Sequence, residues 1–137
     1  MDVVNDITYR ANVSVSGGRV GRATSDDGLL DIALARPGSK DGVNPEQLLA
    51  AGWGACFLST VHAIGRKSGI DTSTALVEVS VTLGKTAEQF FALQAKFSVS
   101  VPGLPHEQVA DLVEQAHGRC PYSRALKGSI ALQTTIG

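Results

Sequence analysis

The chain has 137 residues, 43% of them hydrophobic, and a mean hydropathy of +0.08, which suits a single soluble domain spanning 1–137 with enough material for its own core. Twelve basic residues against thirteen acidic ones give a formal charge of −1, so the totals imply no basic surface for nucleic acid. Two cysteines fit neither a disulfide-dense secreted scaffold nor a four-cysteine zinc site; in a reducing compartment they are inert core thiols or a working pair.

Ile7, Tyr9, Ala11, Val13 and Val15 alternate with polar residues, and this period of two predicts a strand with one solvated face. Gly17-Gly18 turns the chain, Arg19 to Thr24 should pair back, and Ser25-Asp26-Asp27-Gly28 is a second turn signal. Leu30, Ile32 and Leu34 mark a third strand. The chain is thus expected to open as an antiparallel meander, with Arg19 at the start of a strand beside a tight turn.

Arg36 to Val43 reads as a loop, and a long apolar helix follows. Asn44 suits the N-cap, Pro45 the first helical position and Gln47 the capping box; Arg66 and Lys67 precede a closing Gly69. From Gln47 through Gly65 no residue carries a fixed charge, and Cys56 lies near the middle. That run approaches the length of a membrane span, but Gln47, Ser59, Thr60, His62 and its glycines dilute it and its flanks lack a positive-side pattern. With no signal-peptide pattern at the start, the expectation is a cytoplasmic protein that enters no membrane.

Strands return at Val77 to Leu83 and at Phe91 to Val101, joined by a hairpin over Gly84 to Gln89. Pro102-Gly103-Leu104-Pro105 breaks the second of these. Val109, Leu112, Val113 and Ala116 stand at helical spacing, and Cys120-Pro121-Tyr122-Ser123 lies just beyond that helix, where Pro121 disfavours helical geometry at Cys120. Ile130, Leu132 and Thr134 suggest a short final strand.

The central helix is apolar or small almost all round and needs cover on every side, which four Phe, two Tyr and one Trp can hardly supply. Ala50, Ala51, Gly52, Gly54 and Ala55 would let two helix backbones approach closely. A twofold homodimer is the expected solution.

An apolar setting raises a thiol pKa, so Cys56 is unreactive unless something positive reaches it. Arg19 is a candidate cation; its alternative reading is a solvated turn arginine. Glu46 either complements the helix dipole or holds an arginine in place. Ten residues of straight helix would put Glu46 and Cys56 about 15 Å apart on different faces. An interruption near Gly52 to Gly54 is therefore predicted, which would leave Cys56 in the first turn of a second helical segment, where thiol pKa values fall. Cys120 is either structural or a resolving thiol, the latter if its Cα comes within about 7 Å of that of Cys56. His117 and Cys120 have an offset that can bind a metal, but with His62 and His106 they form no recognised ligand set, and no metal site is expected.

The motif running from Asn44-Pro45-Glu46-Gln47-Leu48-Leu49 through Ala55-Cys56-Phe57, together with Cys120-Pro121-Tyr122-Ser123, resembles the organic hydroperoxide resistance proteins of the Ohr/OsmC superfamily. Gly17-Gly18-Arg19 and the Asp27-Gly28 turn fall in the order the family shows. The resemblance implies an α+β fold: an OsmC-like intertwined homodimer in which antiparallel sheets enclose long central helices, with two active sites at the subunit boundary. It also implies a thiol peroxidase with Cys56 peroxidatic, Cys120 resolving, and Arg19 with Glu46 activating the thiolate. Trp53-Gly54 replaces the more usual tyrosine and serine, and Arg124-Ala125-Leu126 leans toward the OsmC branch, whose specificity would be broader. Tyr122 and Glu46-Gln47 favour the Ohr branch. Trp53 and Phe57 either line an apolar pocket for alkyl or fatty-acid hydroperoxides or simply pack the core. No cofactor is expected to be bound; the implied reductant is an external dithiol, a lipoyl group on a carrier protein. The rivals are a redox-responsive binding protein, which would want a separate recognition element, and a structural dimer with inert thiols.

Overall fold

The computed structural model describes all 137 residues, which fall into two compact units, Met1–Leu48 and Leu49–Gly137. The first unit holds β1 (Val13–Ser16), β2 (Gly21–Ser25) and β3 (Asp31–Leu34), paired antiparallel in that order. The expected meander is present. Gly17 and Gly18 make its first turn at φ of +76° and +62°, a region that side chains with a Cβ rarely adopt. At the second turn, Asp27 accepts hydrogen bonds from the Leu29 amide and the Ser25 hydroxyl, which hold its carboxyl below the ordinary carboxylate range.

The first strand is shorter than its alternating pattern. Pairing begins at Val13 opposite Ser25, where β2 bends into the turn, so residues 7–12 have no strand to join. Ile7 and Tyr9 are exposed. Arg19 lies in the turn itself, just before β2. Only Ala23, Leu34 and Ala35 are buried in this unit, too few for a core of its own.

Helix α1 (Pro45–Ser68) begins with the anticipated capping box: the Gln47 amide donates to Asn44 Oδ1 at 2.8 Å and the Asn44 amide to Gln47 Oε1 at 3.0 Å. It ends at Gly69, with φ of +70°. The predicted interruption is absent, since α1 is helical without a break through Gly52, Trp53 and Gly54. Those glycines provide clearance instead. A Cβ at Gly54 would come within 3.2 Å of Val79 Cγ2, and one at Gly52 within 2.9 Å of the Tyr122 hydroxyl. Cys56 consequently lies in the body of a helix, without the N-terminal dipole that a second segment would have provided.

The second unit packs α1 and α2 (His106–Arg119) against a sheet of β4 (Leu76–Lys85), β5 (Phe91–Ser100) and β6 (Ala131–Ile136). Strands β4 and β5 are antiparallel, with Val79 opposite Phe97, whereas β6 runs parallel to β5. The sheet is therefore mixed and departs from the antiparallel expectation. The chain leaves β5, crosses through α2 and the short α3 (Pro121–Leu126), and returns in the same direction, the connection that parallel pairing requires. Helix α3 goes beyond the sequence expectation: Pro121 ends helical geometry at Cys120, yet it also occupies the first position of a new helix.

The core is aromatic at its centre. Trp53 and Phe57 each meet Phe97 edge-on, at centroid separations of 4.9 and 5.1 Å, and all three are fully buried. Val61 and Ile64 extend the buried face of α1, and Val109, Leu112, Val113 and Ala116 form that of α2 as their spacing predicted. By length and composition alone α1 could cross a membrane, but here one face is a core face. Ala51, Ala55, Ser59 and Ala63 form an exposed stripe on the other side, so a single chain covers the helix only in part.

Two glycines give opposite expectations. A Cβ at Gly65 would lie 2.7 Å from Thr72 Cγ2 and 3.0 Å from the Ile70 carbonyl, whereas at Gly118 nothing lies within 4 Å. Gly65→Ala should cost about 1–2 kcal/mol despite its gain in helix propensity, because overpacking outweighs it. Gly118→Ala should stabilise by up to ~1 kcal/mol. Urea denaturation midpoints check both, and a stabilised Gly65→Ala would contradict the packing described.

Candidate active site

Helix α1 presents Gly52, Trp53 and Cys56 toward the turn that joins α2 to α3, since residues three and four apart share a helix face. In that turn Cys120 is at once the last cap of α2 and the first cap of α3. Its amide donates to the Ala116 carbonyl at 2.7 Å, and its own carbonyl accepts from the Arg124 amide at 2.9 Å. With φ of −59° and ψ of 123° it is extended, as a residue before proline should be.

Cys56 and Cys120 are both free thiols, the first partly buried and the second wholly so. The Cys120 thiol and the Tyr122 backbone N–H are near neighbours of the Cys56 sulfur. Burial pushes the Cys56 pKa up and the neighbouring Cys120 thiol adds to the rise; the Tyr122 amide opposes it. No cation is among the groups that shift it.

Within the first unit Arg19 and Glu46 form a bidentate ion pair, Nη2 to Oε1 at 2.7 Å and Nη1 to Oε2 at 3.0 Å. Arg19 is therefore not a merely solvated turn arginine. Its two N–H groups match the carboxylate in a planar fork. The hydrogen bond from Arg19 holds the Glu46 carboxyl below its ordinary value, and the same bond raises the guanidinium.

Trp53 and Phe57 have no exposed surface. Phe57 packs against Phe97 and the His117 ring, whereas Trp53 borders a cavity of about 540 Å³ that His117, Ser123, Leu126, Ile130 and Leu132 also line. The Trp53 indole N–H donates to Ser123 Oγ at 2.9 Å, and that oxygen lies 2.8 Å from His117 Nδ1. His117 Nε2 is 3.2 Å from Thr134 Oγ1, so both ring nitrogens are engaged by hydroxyls, and burial pushes the His117 pKa down. His62 is held separately by Thr72.

Sequence reasoning passes over Ser123, Thr134 and the Tyr122 amide. The first has a signal, a serine beside Cys120 in the same short motif. The other two depend on tertiary placement, and the His117 ring, weighed as a metal ligand with Cys120, instead reaches toward Ser123 and Thr134.

Comparison with known proteins gives the chain's family and fold. The OsmC-like protein family profile matches residues 38–135. The organic hydroperoxide resistance protein of Xanthomonas axonopodis pv. citri is 35% identical over 136 residues, covering 95% of each chain. The crystal structure of the organic hydroperoxide resistance protein OhrB of Bacillus subtilis superposes with a TM-score of 0.87 at 33% identity, covering 96% of this chain and 100% of that one. A putative organic hydroperoxide resistance protein from Vibrio cholerae, crystallised with captopril in one of its active sites, gives a TM-score of 0.89 at 32% identity, covering 96% of this chain and 94% of that one. With two neighbouring thiols, an Arg–Glu pair at a glycine turn, and these relatives along nearly its whole length, the chain belongs to the Ohr/OsmC family, in its organic hydroperoxide resistance branch.

Proposed function

We propose that the chain is a cysteine-based thiol peroxidase that reduces organic hydroperoxides, alkyl or fatty-acid, to alcohols. The observation that carries this reading is the contact between the Cys56 and Cys120 thiols at the junction of three helices. A lone buried thiol is a packing residue; two thiols in contact can exchange a sulfenic acid for a disulfide. The names of the relatives support peroxide chemistry as the setting.

The reaction follows from those two sulfurs. The Cys56 thiolate attacks one peroxide oxygen, the O–O bond breaks, and the alkoxide leaves with a proton as the alcohol. Cys56 is then a sulfenic acid. Attack by Cys120 forms the S–S bond and expels the hydroxyl, which departs as water, before over-oxidation can occur. An external dithiol, a lipoyl group on a carrier protein, restores both thiols by exchange. No bound cofactor is needed for any of these steps.

Within its own unit nothing positive acts on Cys56, and burial disfavours the thiolate. We assign the missing charge to Arg19, held by Glu46: a guanidinium favours the thiolate and the developing alkoxide alike. The working protein is a homodimer, in which the small-residue stripe of α1 is covered by a second copy.

Steady-state turnover with cumene hydroperoxide and dihydrolipoamide tests the reading. Cys56→Ser should abolish turnover, while Cys120→Ser should keep the first oxidation and lose efficient recycling. Consumption of peroxide by Cys56→Ser at the wild-type rate would refute the assignment. Hydroperoxide use without dithiol-driven turnover would indicate a redox switch in place of an enzyme.

The pH dependence follows from the sign of each effect. A cation lowers a thiol pKa, so Arg19→Ala should move the pH–rate profile to higher pH. At neutral pH the thiolate fraction, and with it the first oxidation, would fall about tenfold for every pH unit that the profile moves. Thiol titration that finds the same Cys56 pKa in Arg19→Ala would remove Arg19 from the mechanism.

A further inference from the structure

Four side chains from four different elements form one hydrogen-bonded chain behind the two cysteines: Trp53 of α1, Ser123 of α3, His117 of α2 and Thr134 of β6. Donor inventories and burial together give its direction. An indole N–H can only donate, so Ser123 Oγ accepts from Trp53 at 2.9 Å. Ser123 is buried and Thr134 only partly so, and the arrangement that leaves no buried hydroxyl proton without an acceptor has Ser123 donating to an unprotonated His117 Nδ1 at 2.8 Å. The proton sits on Nε2, which donates to Thr134 Oγ1 at 3.2 Å. The imidazole is neutral in this arrangement, and the lowering of the His117 pKa by burial agrees.

Its members flank the sulfurs at regular intervals. His117 lies three residues before Cys120 and Ser123 three after it, while Trp53 lies three residues before Cys56. The backbone bonds of Cys120 go only to α2 and α3, its own neighbours in the chain. A side-chain hydrogen bond, Trp53 to Ser123, ties that turn to the helix carrying Cys56 and is braced from behind by His117. The His117 ring is in turn wedged against Phe57 and Phe97, with centroids 4.5 and 5.1 Å away. The Tyr122 hydroxyl, against Gly52, is a second point of contact between the same turn and α1.

We propose that Ser123 and His117 are positioning residues for closure of the disulfide: through Trp53 and Thr134 they hold the Cys120 turn against α1, so that the Cys120 sulfur lies in line to displace the hydroxyl of a Cys56 sulfenic acid. This rests on the proposed peroxidase reading and adds a division of labour. The first oxidation depends on Cys56 and the charge near it; the second step depends on the spacing of two sulfurs, which a disulfide tolerates only within narrow limits. The step balances: Cys120 loses its thiol proton, the S–S bond forms, the S–O bond of the sulfenic acid breaks, and the hydroxyl takes up the proton and leaves as water. A small misplacement of an attacking group can cost on the order of a hundredfold in rate.

Two histidine variants separate positioning from packing. Asparagine carries its amide oxygen at the distance of Nδ1 from the backbone, so His117→Asn keeps the acceptor for Ser123. His117→Gln reaches toward Thr134 and loses it. In single-turnover experiments with cumene hydroperoxide, sulfenic acid is trapped with dimedone and disulfide closure is followed by quenching and peptide mapping. Ser123→Ala and His117→Gln should form the sulfenic acid within about twofold of wild type and close the disulfide at least about tenfold more slowly, with His117→Asn close to wild type. Closure at the wild-type rate in Ser123→Ala or His117→Gln, equal slowing of both steps, or a His117→Asn variant as slow as His117→Gln would overturn the proposal. Imidazole nitrogen NMR of the wild-type protein needs no variant. It should show the Nε2–H tautomer at neutral pH, and an Nδ1–H tautomer or an imidazolium would overturn the proposal. If wild type never closes the Cys56–Cys120 disulfide, the peroxidase reading falls and this falls with it; if wild type closes it and the variants close it equally fast, only the positioning role falls.

Discussion

The closeness of the Cys56 and Cys120 sulfurs is the constraint on which the proposed chemistry depends. Neither thiol has an easy place in the second unit: one is partly and the other wholly buried, and burial with a neighbouring thiol raises the pKa of Cys56. Inert core cysteines would gain nothing from touching each other. A pair that alternates between thiols and a disulfide needs little else, because the sulfurs must stay near bonding range in both states. In the proposed reaction the raised pKa keeps the resting thiol protonated until a cation favours its thiolate.

Small residues make the approach possible. Gly52 lets the Tyr122 ring lie on α1, and Gly54 lets β4 approach from the sheet side. Trp53 between them fills the core and bonds Ser123, so one helical turn supplies clearance, bulk and a hydrogen bond before the chain reaches Cys56. The junction of α2 with α3 answers from the other side. Proline at the start of α3 forces Cys120 out of helical geometry, and the sulfur emerges between two helices instead of on the face of one.

Features with a local cause are legible in the sequence. The capping box from Asn44 to Gln47, the glycine turn at Gly17-Gly18 and the buried face of α2 each rest on a few neighbouring residues, and each forms as its pattern predicts. Features with a distant cause are not. The alternation from Ile7 onward is a sound strand pattern, but β2 turns away at Ser25 and leaves it no partner. Gly52 and Gly54 resemble a helix break because the Tyr122 ring and the Val79 side chain that occupy their space come from remote segments. The parallel placement of β6 depends on a crossover through α3, whose first residue, Pro121, looks in sequence like a simple stop. Both cysteines and, in the first unit, the Arg19–Glu46 pair stand out by residue type and motif, whereas the Tyr122 amide and the Ser123–His117–Thr134 contacts of the second unit exist only once the chain is folded.

The account turns on a disulfide that the reduced protein does not contain, between sulfurs that it already holds together. The most direct test is to treat the reduced protein with one equivalent of cumene hydroperoxide and map its peptides by mass without prior reduction. The account predicts a single Cys56–Cys120 cross-link within each chain and the mass loss of two hydrogens. Peptides in which Cys120 remains a free thiol while Cys56 is unreacted, linked to another chain or oxidised beyond the sulfenic acid would contradict it.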